Sequence, residues 1–341
     1  MSETHKKAQE IINEIASQRS KFRVFRGQSS SNWKLIPSIY RSNDLYDDNE
    51  EKTTLDKIKE INRTAVKEMM VTMSTFYKIC IERGIELPIL SESTHRSLLN
   101  ISTNITDKTD NTQVTTILPS CYWPLASTMQ HLGFETPMLD WTSDPLVALY
   151  FACSNNDDND ASLWTLKTNH TEEMFQKSHV VDDHSIHFDA TKRQIHEAFK
   201  KGRSSNCAFF LYRPQFTKEV RIVAQSGWLS IFGINFSEKE GFSEKDFPTP
   251  EDAFDLKHIS KIYATQTNQN KDDIISEFTI PSELKTPIRY NLWNYGVHEL
   301  SVYPGLSHIV QFTELSISRQ IADTLREQPE QFLKAFKPDK P

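Results

Sequence analysis

Apolar side chains recur at intervals of three and four residues in two early segments of the chain. In residues 4–18 they fall on one helical face, and in residues 50–83 the same spacing continues until it ends near Gly84. This periodicity predicts a short amphipathic helix and then a long one. Further helices are predicted over residues 120–132, 144–153, 251–256, 282–295 and 314–336.

Short alternating or continuous apolar runs predict strands. Residues 21–26 alternate in polarity, and residues 138–142 form a compact apolar run before a helix. Beyond residue 160 strands dominate, and they are predicted over residues 161–166, 206–213, 218–225 and 228–234. Residues 100–116 are polar and aperiodic, which predicts a loop. Residues 170–202 are predicted to form a helix or a loop between two strands.

The order of these elements shows no regular alternation of strand and helix, and this predicts an α+β fold. We expect a single mixed domain with a central, mostly antiparallel sheet surrounded by helices. The predicted divisions are an N-terminal helix over residues 1–19, a central domain over 20–312 with a helical insertion at about 50–132, and a C-terminal helix over 313–341.

Composition and charge narrow the classes of function. The chain is 37% hydrophobic and 11% aromatic, so it can bury a sizeable core. Its net charge of −7 argues against a continuous surface for duplex nucleic acid, although a local basic patch stays compatible with it. Its four cysteines contain no CxxC pair and predict reduced thiols rather than a zinc site.

The distribution of apolar residues predicts a cytoplasmic protein without a membrane partner. No apolar run reaches the roughly 18–20 residues of a membrane span. The N-terminal segment is amphipathic and lacks the apolar region of a signal peptide. Two acidic runs, residues 47–51 and 156–160, lack the spacing of a calcium loop, so we expect no metal.

The first candidate chemistry lies around Arg26 and Gly27, at the predicted end of a strand. A guanidinium there is a bidentate donor for a phosphate or carboxylate, and a glycine lets the backbone turn and a ligand approach. The helix predicted to begin at Asp144 directs its first N–H groups toward Thr142 and Ser143. We therefore expect a pyrophosphate site between Arg26 and this helix.

A second set of polar groups shares one face of the predicted strand 218–225. Glu219, Arg221 and Gln225 alternate with apolar residues, so their side chains project together. This strand is the expected place for a group that completes the site.

Several of these residues also have structural interpretations. Arg26 could pair with Asp140 or Glu219 in the core. His131 is either a base or ligand group, or a helix-end histidine that interacts with the last carbonyls. Trp141 either stacks on a base or fills the core.

The hydroxyls and the loop after the first strand have similar alternatives. Thr142 and Ser143 would serve equally well as a helix cap, which is compatible with ligand binding. Arg41 either contacts a ligand or braces its own loop.

Two segments resemble the signature blocks of the FRG domain family. They are FRGQSSSNWKLIPSIYR (25–41), which contains the Phe-Arg-Gly triplet that names the family, and QHLGFETPMLDWTSDPLVALYFA (130–152). Segments 219–232 and 292–310 resemble two further family blocks, so the resemblance spans roughly residues 20–312. In one departure, the arginine common in the family's Thr-Arg-Leu-Leu-Asp-Trp stretch is replaced by Pro137.

The resemblance implies a bacterial protein in a defence or toxin-like setting. A weaker resemblance, to mono-ADP-ribosyltransferases, lies in the order of an aromatic-Arg-Gly strand, a Thr-Ser strand with its helix, and a later polar strand. It implies an ADP-ribosyltransferase-like fold with a split sheet, and NAD as substrate. ADP-ribose would then be transferred to a protein or nucleic acid, or the glycosidic bond hydrolysed.

Under this resemblance the candidate residues take named roles. The ligand contacts are Arg26, Gly27, Gln28, Arg41, Asp140, Trp141, Thr142, Ser143 and Arg221. The catalytic candidates are Gln225, Glu219 and His131. A neutral amide at Gln225 would hydrogen-bond the ribose but would not offset positive charge as a carboxylate does.

The alternative is a non-catalytic module that senses a nucleotide or a protein and acts with a partner in antiphage defence. Its expected contact surfaces are the polar segment 100–116 and the C-terminal helix 314–336. The sequence leaves the oligomeric state open.

Overall fold

The structure of the chain is a computed structural model that describes residues 3–20, 23–42, 45–46, 52–101, 114–115, 118, 120–154, 158–167, 207–214, 223–235, 242–268, 270 and 274–304. The helices in these ranges are α1 (Glu3–Ser17), α2 (Thr54–Glu82), α3 (Glu92–Asn100), α4 (Trp123–His131), α5 (Pro145–Cys153), α6 (Leu256–Thr267), α7 (Ser282–Leu292) and α8 (Glu299–Val302). The strands are β1 (Arg23–Gln28), β2 (Val114–Thr115), β3 (Leu139–Thr142), β4 (Ala161–Lys167), β5 (Cys207–Tyr212), β6 (Gly227–Asn235) and β7 (Ile275–Ile280).

The described strands form one antiparallel sheet. Their order is β5-β6-β3-β1-β4-β7, and β2 pairs with the far end of β6. β1 pairs with β4 over its whole length, whereas β1 and β3 pair only through Phe25 and Thr142. The paired segment between neighbouring strands is therefore shortest between β1 and β3.

The sheet separates two apolar clusters. One cluster contains α1, α5 and α7 with Phe25 of β1, and the other contains α2, α4 and α6 with Val24. Because side chains alternate along a strand, Arg26 and Gln28 face the α2 side together with Val24. Phe25 and Gly27 face α5.

Gly27 lies where the backbone of α5 crosses β1. A Cβ built on Gly27 would lie 2.0 Å from the carbonyl oxygen of Ala148 and 2.5 Å from the nitrogen of Ala152. Only a residue without a side chain permits this approach. The glycine is thus needed for helix packing, and the chain continues through it as a strand instead of turning as expected, while a ligand contact at Gly27 stays a prediction.

Local sequence explains the start of α5 and the end of α2. Asp144 caps α5 by accepting a hydrogen bond from the Leu146 N–H at 3.0 Å, and Pro145 occupies the first turn. α2 stops just before Gly84, whose φ of +65° favours glycine. Both features match the sequence predictions.

The α+β prediction is confirmed, with corrections to individual elements. β1 continues through Gln28, so Arg26 lies inside the strand rather than at its end. The predicted helix 251–256 is a 3-10 turn, Pro250–Phe254, followed by α6, which the sequence analysis missed together with α3 and β7. The predicted loop 100–116 instead begins at the end of α3 and contains β2 at its far end.

Other predictions lie outside the described residues. These are the segment 170–202, residues 218–222 of the predicted strand 218–225, and the C-terminal helix 314–336. The described end of that predicted strand, residues 223–225, is helical and then a turn instead of a strand. The domain divisions and the split of the sheet stay predictions. Among the described helices, none combines the length and apolar content needed to cross a membrane.

Candidate functional site

The guanidinium of Arg26 lies where β1 and β3 separate. Its Nη1 donates a hydrogen bond to the backbone carbonyl of Asp140 at 2.7 Å and lies 3.8 Å from Oδ2 of the same residue. The side chain is 15% exposed, and its Nε is buried without a hydrogen-bond partner among the described residues. A buried donor left unpaired costs about 1–3 kcal/mol, so this guanidinium has a donor that the described residues leave unused.

Arg41 supplies a second positive charge beside Arg26. Its Nε donates to the carbonyl oxygen of Ile36 at 2.7 Å. Burial lowers the pKa of Arg26, the Asp140 carboxylate opposes this, and Arg41 lowers it further. Burial also lowers the pKa of Arg41, whereas the carboxylates of Asp140 and Glu135 act to raise it. Arginine stays protonated in proteins, so two cations share the Asp140 carboxylate.

The carboxylate of Asp140 is held by a neighbouring amide. Gln130 donates from Nε2 to Asp140 Oδ1 at 2.7 Å, and its own carbonyl accepts a hydrogen bond from the Thr136 hydroxyl. The Thr136 N–H in turn donates to Ser38 Oγ at 3.0 Å, in the turn that precedes Arg41. The Asp140 side chain is 58% exposed, so an anchored carboxylate faces solvent beside the guanidinium.

The start of α5 does not form a site with Arg26. α5 packs on the opposite face of the sheet, and the Asp144 carboxylate accepts a hydrogen bond from the Leu146 N–H in its first turn. The other carboxylate oxygen of Asp144 pairs with Arg19. A negative cap opposes a second anion at this helix end, so the predicted pyrophosphate site between Arg26 and α5 is not formed.

Thr142 and Ser143 hold the turn that leads into β6. The Thr142 hydroxyl donates to the carbonyl of Gln225 at 2.6 Å and accepts from the Asp144 N–H at 3.0 Å. The Ser143 N–H donates to the carbonyl of Ser226 at 3.1 Å. These contacts give both residues a structural role, and their role in a ligand pocket stays a prediction.

Trp141 and Gln28 are core residues. Trp141 is 3% exposed, and its indole donates to Ser230 Oγ at 2.8 Å. The amide of Gln28 accepts from the Trp164 indole at 2.7 Å and donates to the carbonyl of Lys34 at 3.3 Å. The expectation that Trp141 and Gln28 contact a ligand is therefore corrected.

Two of the three catalytic candidates, Gln225 and His131, hydrogen-bond to backbone carbonyls. Gln225 lies in a turn before β6 and donates from Nε2 to the carbonyl of Val302 at 3.2 Å. His131, at the end of α4, donates from Nδ1 to the carbonyl of Ser127 at 2.8 Å, the contact expected of a helix-end histidine. Glu219 and Arg221 lie outside the described residues.

One comparison with known proteins finds a family. The FRG domain family model matches residues 21–161, a range that contains β1, β3 and every group described around Arg26. The chain carries an FRG domain. Neither the curated proteins nor the solved structures give a match. The wider span of residues 20–312 stays a prediction.

The structure of the FRG domain adds two residues that the sequence analysis did not select. Gln130 and Thr136 fix the Asp140 carboxylate, and both lie inside the second signature block. Their roles depend on contacts between α4, β3 and the turn after β1, for which no local pattern gives a signal. Among the described residues no group of three or more His, Cys, Asp or Glu could hold a metal ion.

Proposed function

We propose that this FRG domain is a binding module for a phosphate-bearing nucleotide, with Arg26 as its anion contact. The observation that carries the proposal is the buried guanidinium with an unpaired Nε, next to a second guanidinium and a surface carboxylate. A charge buried in this way is normally paired fully or coordinated. Among the described residues, Arg26 has one hydrogen bond, to the Asp140 carbonyl, and one carboxylate at 3.8 Å.

The geometry of the guanidinium favours an oxyanion. Nη1 is engaged by Asp140, while neither Nε nor Nη2 hydrogen-bonds to a described residue. These two N–H groups lie along one edge of the planar fork, which matches two oxygens of a phosphate or carboxylate. Arg41 adds a second cation on the same side of the structure, which favours the higher charge of a phosphate.

Binding of nucleotides to the Arg26→Gln variant tests this proposal. Calorimetry with ADP-ribose, NAD, AMP and inorganic phosphate measures the affinity of the wild type and of the variant. We expect Arg26→Gln to weaken nucleotide binding by about tenfold or more, because it removes a charge-assisted contact worth about 1.5–3 kcal/mol. Arg23→Gln, at the start of the same strand, is the matched control and should bind as the wild type does.

Two results would count against the proposal. One is a folded wild type that binds no phosphate-bearing ligand. The other is an Arg26→Gln variant, folded by circular dichroism, that binds as tightly as the wild type.

ADP-ribosyl transfer or NAD hydrolysis is the second candidate function. The observation in its favour is that the strand with Arg26 pairs, through Phe25 and Thr142, with the strand that ends at Thr142, so the first two elements of the weaker resemblance are neighbours in the sheet. The engagement of the Thr142 hydroxyl and of the Gln225 amide counts against it. Nicotinamide release and mass analysis of protein, RNA and DNA, with the same variants, decide between binding alone and turnover. For either function we propose a setting in antiphage defence, with a partner protein.

A further inference from the structure

We infer that the ligand of this site is a ribonucleotide, and that Asp140 accepts hydrogen bonds from its ribose hydroxyls while Arg26 binds its phosphate. This inference rests on the proposed function, because it concerns the same site. It goes further by naming the sugar as the second recognised group.

The two oxygens of the Asp140 carboxylate are in different situations. Oδ1 accepts the hydrogen bond from Gln130 at 2.7 Å. Oδ2 accepts no hydrogen bond from a described residue and lies 3.8 Å from Arg26 Nη1, beyond hydrogen-bonding distance. The Asp140 side chain is 58% exposed, so its carboxylate lies at the surface with one oxygen anchored and the other without a hydrogen bond from a described residue.

A fixed carboxylate suits the hydroxyls of a ribose. An ionised carboxylate only accepts hydrogen bonds, and the vicinal hydroxyls of a ribose are donors. Dinucleotide-binding folds use a carboxylate on the ribose 2′-hydroxyl in the same way. Since phosphate and hydroxyls are carried by one sugar, a cation and a carboxylate side by side match both parts of one ligand.

Gln130 is the positioning residue for this contact. Its amide joins Asp140 on β3 to Thr136, and Thr136 is bonded to Ser38 in the turn after β1. The carboxylate is thereby held against two segments of the fold. A hydrogen-bond acceptor whose direction is fixed in advance loses less entropy when a ligand binds.

The same carboxylate disfavours anions that carry no hydroxyl donors. Asp140 reduces the positive charge that Arg26 and Arg41 present, so a simple anion gains less from the site. A ribonucleotide recovers this loss through its hydroxyls, while inorganic pyrophosphate does not. Asp140 is therefore expected to determine specificity, with opposite effects on the two kinds of ligand.

The test is a comparison of three ligands in three variants. Calorimetry measures the affinities of ADP, 2′-deoxy-ADP and inorganic pyrophosphate for the wild type, Asp140→Asn, Gln130→Leu and the control Glu135→Gln. In the wild type we expect ADP to bind about tenfold more tightly than 2′-deoxy-ADP, the value of one charge-assisted hydrogen bond.

The variants should distinguish the hydrogen bond that Asp140 accepts from the ribose from its effect on the charge of the site. In Asp140→Asn the preference for ADP over 2′-deoxy-ADP should fall to near unity, while the affinity for pyrophosphate rises. Gln130→Leu should lose the same preference with a smaller change in pyrophosphate affinity, because the charge remains. Glu135→Gln should keep the ribose preference. A variant with only a structural defect would bind all three ligands more weakly than the wild type does.

The possible failures can be told apart. If the wild type binds none of the three ligands, both the proposed function and this inference are overturned. If it binds ADP and 2′-deoxy-ADP equally, or if Asp140→Asn keeps the ribose preference, only the inference is overturned and nucleotide binding stands.

Discussion

At the scale of single residues, Arg26 combines a structural contact with unused donors. Its Nη1 bonds the Asp140 carbonyl where β1 and β3 have stopped pairing, so the side chain continues the link between the strands. The remaining edge of the guanidinium takes no part in this link. A lysine would bring three donors on one nitrogen, but it lacks the planar fork that meets two oxygens of one anion while a further N–H bonds the carbonyl.

Gly27 offers a sharp test of how closely α5 packs on β1. Gly27→Ala places a Cβ against the backbone of Ala148, which cannot move without shifting the helix. We expect a loss of about 1–3 kcal/mol in the free energy of unfolding, measured by urea denaturation, as for overpacked cores.

The matched control for this substitution is Gly84→Ala. A Cβ there meets no atom within 4 Å, but φ is +65°. Its cost should be about 1 kcal/mol and come from backbone strain alone. A Gly27→Ala protein as stable as the wild type would show that α5 does not pack on β1 as described.

At this scale the sequence analysis included the contact of Arg26 with Asp140 among its alternatives, but it did not predict the partners of several other residues. The alternatives considered for Trp141 and His131 included core filling and a helix-end contact, and the structure supports these two. The bond between Gln28 and Trp164 joins residues 136 positions apart, and no local pattern reveals it. The use of Gly27 against α5 was missed for the same reason.

At the scale of elements, the 3-10 turn Pro250–Phe254 depends on a titratable carboxylate. Asp252 accepts hydrogen bonds from the hydroxyl and the N–H of Thr249 and lies 3.4 Å from the Lys34 ammonium. Burial raises the pKa of Asp252, but the Thr249 bonds and Lys34 outweigh this and leave it below its ordinary value.

This depressed pKa gives a prediction of stability against pH. A carboxyl with a lower pKa in the folded state stabilises the fold above its unfolded pKa, roughly 3.9, and loses this contribution as pH falls through the folded pKa. Thermal unfolding should therefore show Asp252→Asn less stable than the wild type at pH 7, with the gap closing below about pH 4. A gap that is independent of pH would contradict the assigned contacts.

Elements with a strong apolar pattern and clear end signals were predicted more closely than the others. α2 and α5 have continuous apolar signals and clear ends, and both were predicted closely. β7 alternates apolar and polar residues, yet it was missed between segments read as helical. α6 begins at Leu256, where the predicted helix was taken to end, because Asp255 caps it directly after the 3-10 turn.

At the scale of the whole molecule, the sheet decides which groups can meet. Arg26 and the start of α5 lie in the two signature blocks, and the sequence analysis predicted a shared pyrophosphate site between them. The sheet instead separates them, with α5 on the face of Phe25 and Arg26 on the face of Val24. Parity along β1 could have been read from the sequence, but the face covered by α5 depends on tertiary packing.

The central claim is that the unpaired edge of the Arg26 guanidinium, formed by Nε and Nη2, binds the phosphate of a nucleotide. The most direct measurement is the ¹H–¹⁵N resonance of the Arg26 Nε–H group, assigned with Arg26→Gln and followed during titration with ADP-ribose. We predict a saturable shift of this resonance with the same affinity as calorimetry gives, because Nε gains an acceptor. A resonance that stays unchanged while ADP-ribose binds would contradict the account.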